Sequence, residues 1–527
     1  MRNIEILDTT LRDGSQAEGI AFSVEDKLNI VRALDILGVD FIEAGNPFSN
    51  PKDAEFFGRA EGIELNNSRL AAFGSTRRKN TAAEDDPGLA ALLDSGCRFV
   101  SVFGKSWDLH VSDVLQTELE HNLEMIADTV GLLVRNGRSV IFDAEHFFDG
   151  YKQNRDYALQ TIMAARDAGA ERIVLCDTNG GSLPWEVGEM TAAAIEALGG
   201  ERTPIVGIHC HNDAGCAVAC SFEAVRAGAG HVQGTILGFG ERAGNANLAS
   251  IMAGLKLKMG LDCLPEGNMA DLSLIASRVA EIANLSVRSN QPYIGRSAFA
   301  HKGGMHADGV AKNPLAFEHV NPDTVGNFRR VLLSEVGGRA SLIRKIRSIA
   351  PDIGRESEET ARIIERLKVL EYEGYQFEAA EESFEMVIRK ELGLSRDHYE
   401  LIKYQTMGEG GEDGHSSTAF IKVRVGDKAN LFAAEGEGPV HALDNALRGA
   451  LIPFYPILSE VYLTDFKVRV LDSRAATAAK VRVLITSTDG GRSWTTIGVS
   501  GDIIEASLKA LTDSIEYKLI REGIEAL

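Results

Sequence analysis

No stretch of the 527-residue chain is apolar for the roughly 20 residues that a helical bilayer span needs, which excludes an integral membrane protein of that kind. Its start, MRNIEILDTT, reads as a strand and lacks the apolar core of a secretory signal, so the expected compartment is the cytoplasm. Basic residues are in deficit: 55 Lys and Arg against 76 Asp and Glu leave a formal charge of −21. A chain so acidic lacks the broad basic face that nucleic acid requires of a main partner, although the local cluster Arg77-Arg78-Lys79 remains compatible with a small anion. Proline is sparse, at 13 residues, which argues against long disordered linkers. The six cysteines (Cys97, Cys176, Cys210, Cys216, Cys220 and Cys263) include no CxxC pair, so free buried thiols are expected rather than disulfides. One core cannot serve this length, and two or three domains are expected.

Short apolar runs recur, each followed by a helical stretch: IEILDT, VDFIEAG, RLAAFG, FVSVFG, SVIFDAE, RIVLCD, PIVGIHCH and HVQGTILG. Eight such repeats over about 250 residues mark a (β/α)8 TIM barrel, an α/β fold whose working groups stand at the carboxyl ends of the strands. Beyond Leu255 the pattern turns helical, with an acidic run from Glu356 to Leu392, and GEGGEDGHSS at 408–417 marks a boundary. A weak internal repeat closes the chain, two strand–turn–strand–loop–helix copies that read as an α+β domain with internal duplication. The expected division is a catalytic barrel over 1–265, helical linker subdomains over 266–395 and a terminal domain over 396–527.

Every polar motif of the barrel falls at a strand end. Asp13 in LDTTLRDGSQ and His209 and His211 in IHCHNDAG follow strands 1 and 7. Residues i and i+2 of a strand share a face, which two ligands to one ion require, whereas Cys210 between them points away. A carboxylate with two imidazoles suits a divalent cation such as Zn2+, Mn2+, Mg2+ or Co2+ and leaves positions open for a substrate. Asn245 in GERAGNAN offers an amide oxygen as a fourth, weaker ligand. Arg12 carries a fixed charge beside that carboxylate, able to stabilise an oxyanion or to pair with Glu43 or Glu145. Asp143 and Glu145 share one face of strand 5 as candidates for acid/base work. Thr178 in CDTNGG is placed to hold a substrate carboxylate. His301 and His306 lie in a glycine-rich loop outside the barrel, where an imidazole can serve as acid or base. In the terminal repeat Gly436 and Gly438, and Gly498 and Gly501, precede helices whose free N–H groups suit a ligand carboxylate, or else only form tight turns.

The DTTLRDG and HxHND motifs resemble those of the aldol-type acyl-CoA condensing enzymes that include 2-isopropylmalate, homocitrate and citramalate synthases. The resemblance runs end to end, and SNPKDAEFF, FGSTRRK, FGKSWDLHV, DAEHFFDGYK and GPVHALDNAL are similar to the citramalate synthase branch. It implies condensation of acetyl-CoA with pyruvate and hydrolysis of the thioester to (R)-citramalate and CoA, in isoleucine biosynthesis. It also implies a divalent metal on Asp13, His209 and His211, catalytic Arg12, Glu145 and His306, and a homodimer whose terminal domain binds isoleucine. One position departs from the family: eleven residues past His306, where relatives commonly carry tyrosine, stands Phe317. Competing expectations are the same reaction on a larger 2-oxo acid, a carbon–carbon lyase, or a non-catalytic amino-acid sensor.

Overall fold

A computed structural model describes residues 4–200, 204–301, 304–331, 346–347, 349–351, 353, 357–377, 380–394, 397–411, 414–471, 479–490 and 492–527. Its contacts divide the chain into two compact units, Met1–Ala300 with Glu318–Arg330, and His301–Phe317 with Val331–Leu527.

In the first unit the eight apolar runs are eight parallel strands closed into a barrel in sequence order. They are β1 (Glu5–Asp8), β2 (Phe41–Glu43), β3 (Arg69–Ser75), β4 (Phe99–Lys105), β5 (Ser139–Glu145), β6 (Arg172–Asp177), β7 (Ile205–Cys210) and β8 (His231–Gly234). Such strands are covered by helices outside and by one another inside, so they are buried on both faces and read as unbroken apolar runs. Leu7, Phe41, Ala71, Phe99, Ile141, Val174 and Cys176 fill the interior as a cluster of their own. At the amino end of the barrel Arg172 donates to both oxygens of Glu5 (2.7 and 2.8 Å), with its guanidinium 4.8 Å from the Phe41 ring centre. That pairing closes the floor, and the carboxyl ends of the strands are left for function.

Local signals set the helix limits. The helix Val24–Leu37 starts in a capping box, Ser23 with Asp26, and stops at Gly38, whose φ of 89° is left-handed. The helix Pro51–Ala60 begins with proline behind an Asn50 cap.

The second unit holds the helices Gly304–Lys312, Glu358–Glu373 and Glu381–Glu391 and two three-stranded antiparallel sheets. The first sheet is β9 (Glu400–Gly411), β10 (Gly414–Val425) and β11 (Lys428–Gly436), followed by the helix Pro439–Leu451. The second is β12 (Tyr462–Val470), β13 (Val481–Thr488) and β14 (Ser493–Ser500), followed by the helix Ile503–Arg521. Ala419, Ile421 and Val423 of β10 share one core with Leu443 and Leu447 of the first helix and Leu511 and Ile515 of the second.

The internal duplication is therefore real, but each copy begins one strand earlier than its sequence pattern indicates. Both opening strands carry a register break at the matching place, Leu401/Lys403 in β9 and Leu463/Asp465 in β12. The glycine-rich run 408–417 is not a boundary. It is the tip of the β9–β10 hairpin, with Gly408 opposite Ser417 and Gly411 opposite Gly414; residues 412 and 413 lie outside the described residues. Antiparallel pairing overrides composition there, because the described residues of the run pair across the hairpin.

Candidate active site

Above the interior cluster the barrel opens into a cavity of about 260 Å³, lined by Arg12, Asp13, Phe73, Phe103, Asp143, Glu145, Cys176, Thr178, His209 and His211 among others. The tight turn after β1 carries Arg12 and Asp13, and Asp13 Oδ2 lies 3.2 Å from His209 Nε2 and 3.9 Å from His211 Nε2. One ligand atom from each of the three residues falls within 4.8 Å of the others, and all three residues are buried.

Electrostatics favour the anionic form of Asp13. Burial pushes its carboxyl up, but the Arg12 guanidinium and the His209 hydrogen bond outweigh burial and hold it well below the usual range. Burial, joined by the charge of His209, lowers His211 to about 4, so its imidazole is neutral near pH 7 and has a lone pair to give. His209 is raised: burial opposes its charge, and the hydrogen bond to Asp13 wins.

This donor set fits a divalent cation. Asn245 supports the fit, since its backbone bridges His211 and its Nδ2 donates to Phe239 O at 3.0 Å. Its Oδ1 is buried and has no hydrogen-bond partner among the described residues. A buried amide oxygen without a partner costs about 1–3 kcal/mol, which a cation would offset.

Of the two carboxylates considered for Arg12, Glu43 is the partner: Arg12 Nε donates to Glu43 Oε2 at 2.6 Å, while Nη1 reaches Asp13 Oδ2 at 3.2 Å. The guanidinium also lies 3.9 Å from the centre of the Phe73 ring, which stacks on Phe103 at 5.4 Å. Glu145 pairs with Lys105 at the end of β4. Asp143, fully buried, is pushed up to about 7 by burial and by the charge of Glu43. Thr178 Oγ1 accepts from His146 N at 2.9 Å, and its carbonyl accepts from Arg242 Nη2 at 2.7 Å.

Lys105, Gln233, Phe73 and Arg242 escaped the sequence reading. Lys105 carried a usable signal, a charged residue at the last position of an apolar barrel strand. Gln233 carried none, because a single glutamine inside HVQGTILG is indistinguishable from a packing residue.

His306 belongs to the second unit. It stands on the helix Gly304–Lys312 rather than in a loop, exposed, with its ring stacked on Phe317 at 4.3 Å. Lys312 holds Asp308 at 2.6 Å across one turn of that helix. The four glycines of the terminal repeat also separate. Gly438 caps the helix Pro439–Leu451 and Gly501 precedes the Asp502 cap of Ile503–Arg521. Gly498 lies inside β14 and Gly436 ends β11. A Cβ at Gly498 would stand 1.9 Å from Ala506 O, and one at Gly436 2.5 Å from Ala442 N. At those two positions the missing side chain lets a helix lie directly on its sheet.

Comparison with known proteins bears on this geometry. Residues 3–279 match the family profile described as HMGL-like. Residues 293–374 match the homocitrate synthase post-HMGL domain-like profile, and 378–519 the LeuA allosteric (dimerisation) domain. An (R)-citramalate synthase of Aquifex aeolicus is 49% identical over 526 residues, 99% of each chain. The chain belongs to the (R)-citramalate synthase family. A second such enzyme, from Synechocystis, is 48% identical over 98% of this chain and 96% of its own. A probable 2-isopropylmalate synthase of Methanopyrus kandleri is more distant, at 32% over 97% of each chain. Among the described residues no helix is long and apolar enough to cross a membrane.

Proposed function

We propose that the chain condenses acetyl-CoA with pyruvate and hydrolyses the resulting thioester, releasing (R)-citramalate and CoA. The observation that carries this reading is the meeting of Asp13, His209 and His211 beside Arg12 in one cavity, in a chain 49% identical end to end to an (R)-citramalate synthase.

On this reading Asp13, His209 and His211, with Asn245 as a weaker fourth ligand, hold a divalent cation, which supplies Lewis acidity toward a 2-oxo acid when bound. The remaining work falls to the chain's own groups. Arg12 turns its unused N–H groups toward the ketone oxygen, where negative charge grows as the new carbon–carbon bond forms. Thr178, whose oxygen already accepts from His146 N, keeps its hydroxyl proton for the substrate carboxylate. Phe73 and Phe103 form an apolar shelf that suits a methyl group. Glu145, held by Lys105, and His306 are the proposed acid/base residues for removing a proton from the thioester methyl and for activating water.

Thiol release from acetyl-CoA tests the reading directly. Pyruvate is expected to be preferred over 2-oxoisovalerate and 2-oxoglutarate; a clear preference for either larger acid would transfer the chain to the neighbouring activity. The match to an allosteric (dimerisation) domain supports a homodimer with an end-product effector, for which isoleucine is the proposed ligand. That part fails if isoleucine neither inhibits thiol release nor shifts the melting temperature.

A further inference from the structure

Gln233 lies on β8 directly opposite His209 of β7 in the barrel register, and it is fully buried. Its Oε1 is 3.0 Å from His209 Nδ1, and its Nε2 donates to Asp143 Oδ1 at 3.0 Å. The two hydrogen bonds are not independent. A carboxylate oxygen accepts from the amide nitrogen, so Asp143 orients the carboxamide with its nitrogen toward β5 and its oxygen toward β7. A carboxamide oxygen can only accept, so His209 Nδ1 must carry the proton facing it. Once Nε2 gives up the proton it shares with Asp13 Oδ2, the neutral imidazole has its lone pair on that nitrogen.

We infer that Asp143 and Gln233 form a positioning relay that holds His209 in the Nδ1–H tautomer and so keeps Nε2 ready to bind a divalent cation. Neither residue touches Asp13 or His211 in any hydrogen bond described for the site, so the relay reaches the three ligands through His209. The inference rests on the proposed cation site. It adds that an aspartate and a glutamine on two other strands, the glutamine at a register position that nothing in its local sequence marks, decide how well that site binds. Partners of this kind behind a metal-binding histidine typically contribute about 10- to 100-fold in affinity.

Titration of the metal-stripped full-length protein with Co2+, followed by its visible absorption bands, tests this without reference to turnover. Gln233→Met keeps the length of the side chain and removes its strong acceptor, and is expected to weaken Co2+ binding by about tenfold or more. Gln233→Glu restores an acceptor for Nδ1–H and is expected to bind at least as tightly as the wild type. A role in packing alone predicts the opposite order, since methionine fills the space and a buried carboxylate disturbs it. Gln233→Met binding within about threefold of the wild type would overturn the relay, as would Gln233→Glu weakening as much as the methionine variant. Gln233→Leu replaces the methionine variant in the same titration should that chain fail to fold. Failure of the wild-type protein itself to bind Co2+ would instead overturn the cation site on which the relay rests.

Discussion

Replacing Arg12 with lysine keeps the charge at the cavity and removes the shape that the structure uses. The guanidinium spends Nε–H on Glu43 at 2.6 Å and an Nη1–H on Asp13 at 3.2 Å, lies 3.9 Å from the Phe73 ring centre, and still has N–H groups to present to a substrate. A lysine ammonium is a point donor that cannot bridge both carboxylates, stack on the ring and present an oriented pair at the same time. Losing one oriented donor at this cavity costs about 2–3 kcal/mol of transition-state stabilisation, or roughly 30- to 160-fold in kcat. The assay is steady-state thiol release with pyruvate varied at saturating acetyl-CoA. Phe73→Leu is the control: it keeps both carboxylate contacts and loses only the stack, about 1 kcal/mol or roughly fivefold. An Arg12→Lys enzyme with kcat within threefold of the wild type would refute the argument, as would a Phe73→Leu enzyme equally impaired.

Three further outcomes follow from the same geometry. Chelation should abolish thiol release, Mn2+ or Co2+ should restore it, and the ion at 100 times its Kd should stabilise the fold by about 2.7 kcal/mol; full activity after exhaustive chelation contradicts the site. Thr178→Val should raise KM for pyruvate roughly 10- to 150-fold, the value of a hydrogen bond to a charged group, whereas Thr178→Ser should leave KM near that of the wild type. In the second unit the buried His398 gives Nδ1 to Glu516 Oε2 at 2.7 Å and Nε2 to the Ile524 carbonyl at 2.8 Å, so both ring nitrogens carry protons. Burial opposes that charge, but Glu516 and the carbonyl overcome it and raise the pKa above 6.5. The pair's stabilisation is therefore complete below pH 6.5 and is lost as pH climbs through the raised value, at about 1.4 kcal/mol for each pH unit between the two. Thermal melts from pH 6 to 9 should show that loss in the wild type and not in the neutral pair His398→Gln/Glu516→Gln; equal slopes would contradict it.

The barrel and its order were legible in the amino-acid sequence, because a strand buried on both faces must be apolar throughout and eight such runs alternating with helices admit few other packings. Asp13, His209, His211, Arg12 and Thr178 were legible as a set for a related reason: each stands at or just past the end of one of those runs, and a closed barrel turns all strand ends toward one mouth. What surrounds them was decided by tertiary structure. Glu43 meets Arg12 across 31 residues and Asp143 meets Gln233 across 90. Neither pairing leaves a periodicity, since register between distant strands is set by closure of the whole barrel and not by any local window. The terminal domain shows the same division. Its duplication was visible as a repeated strand–strand–helix pattern, while β9 and β12 were hidden because their exposed sides carry polar and apolar residues alike. The glycine-rich run at 408–417 looked like a break until its partner strand was in place. Local chemistry thus named the elements and the polar groups at their ends, and only the fold, by bringing remote segments into register, determined which group each one answers to.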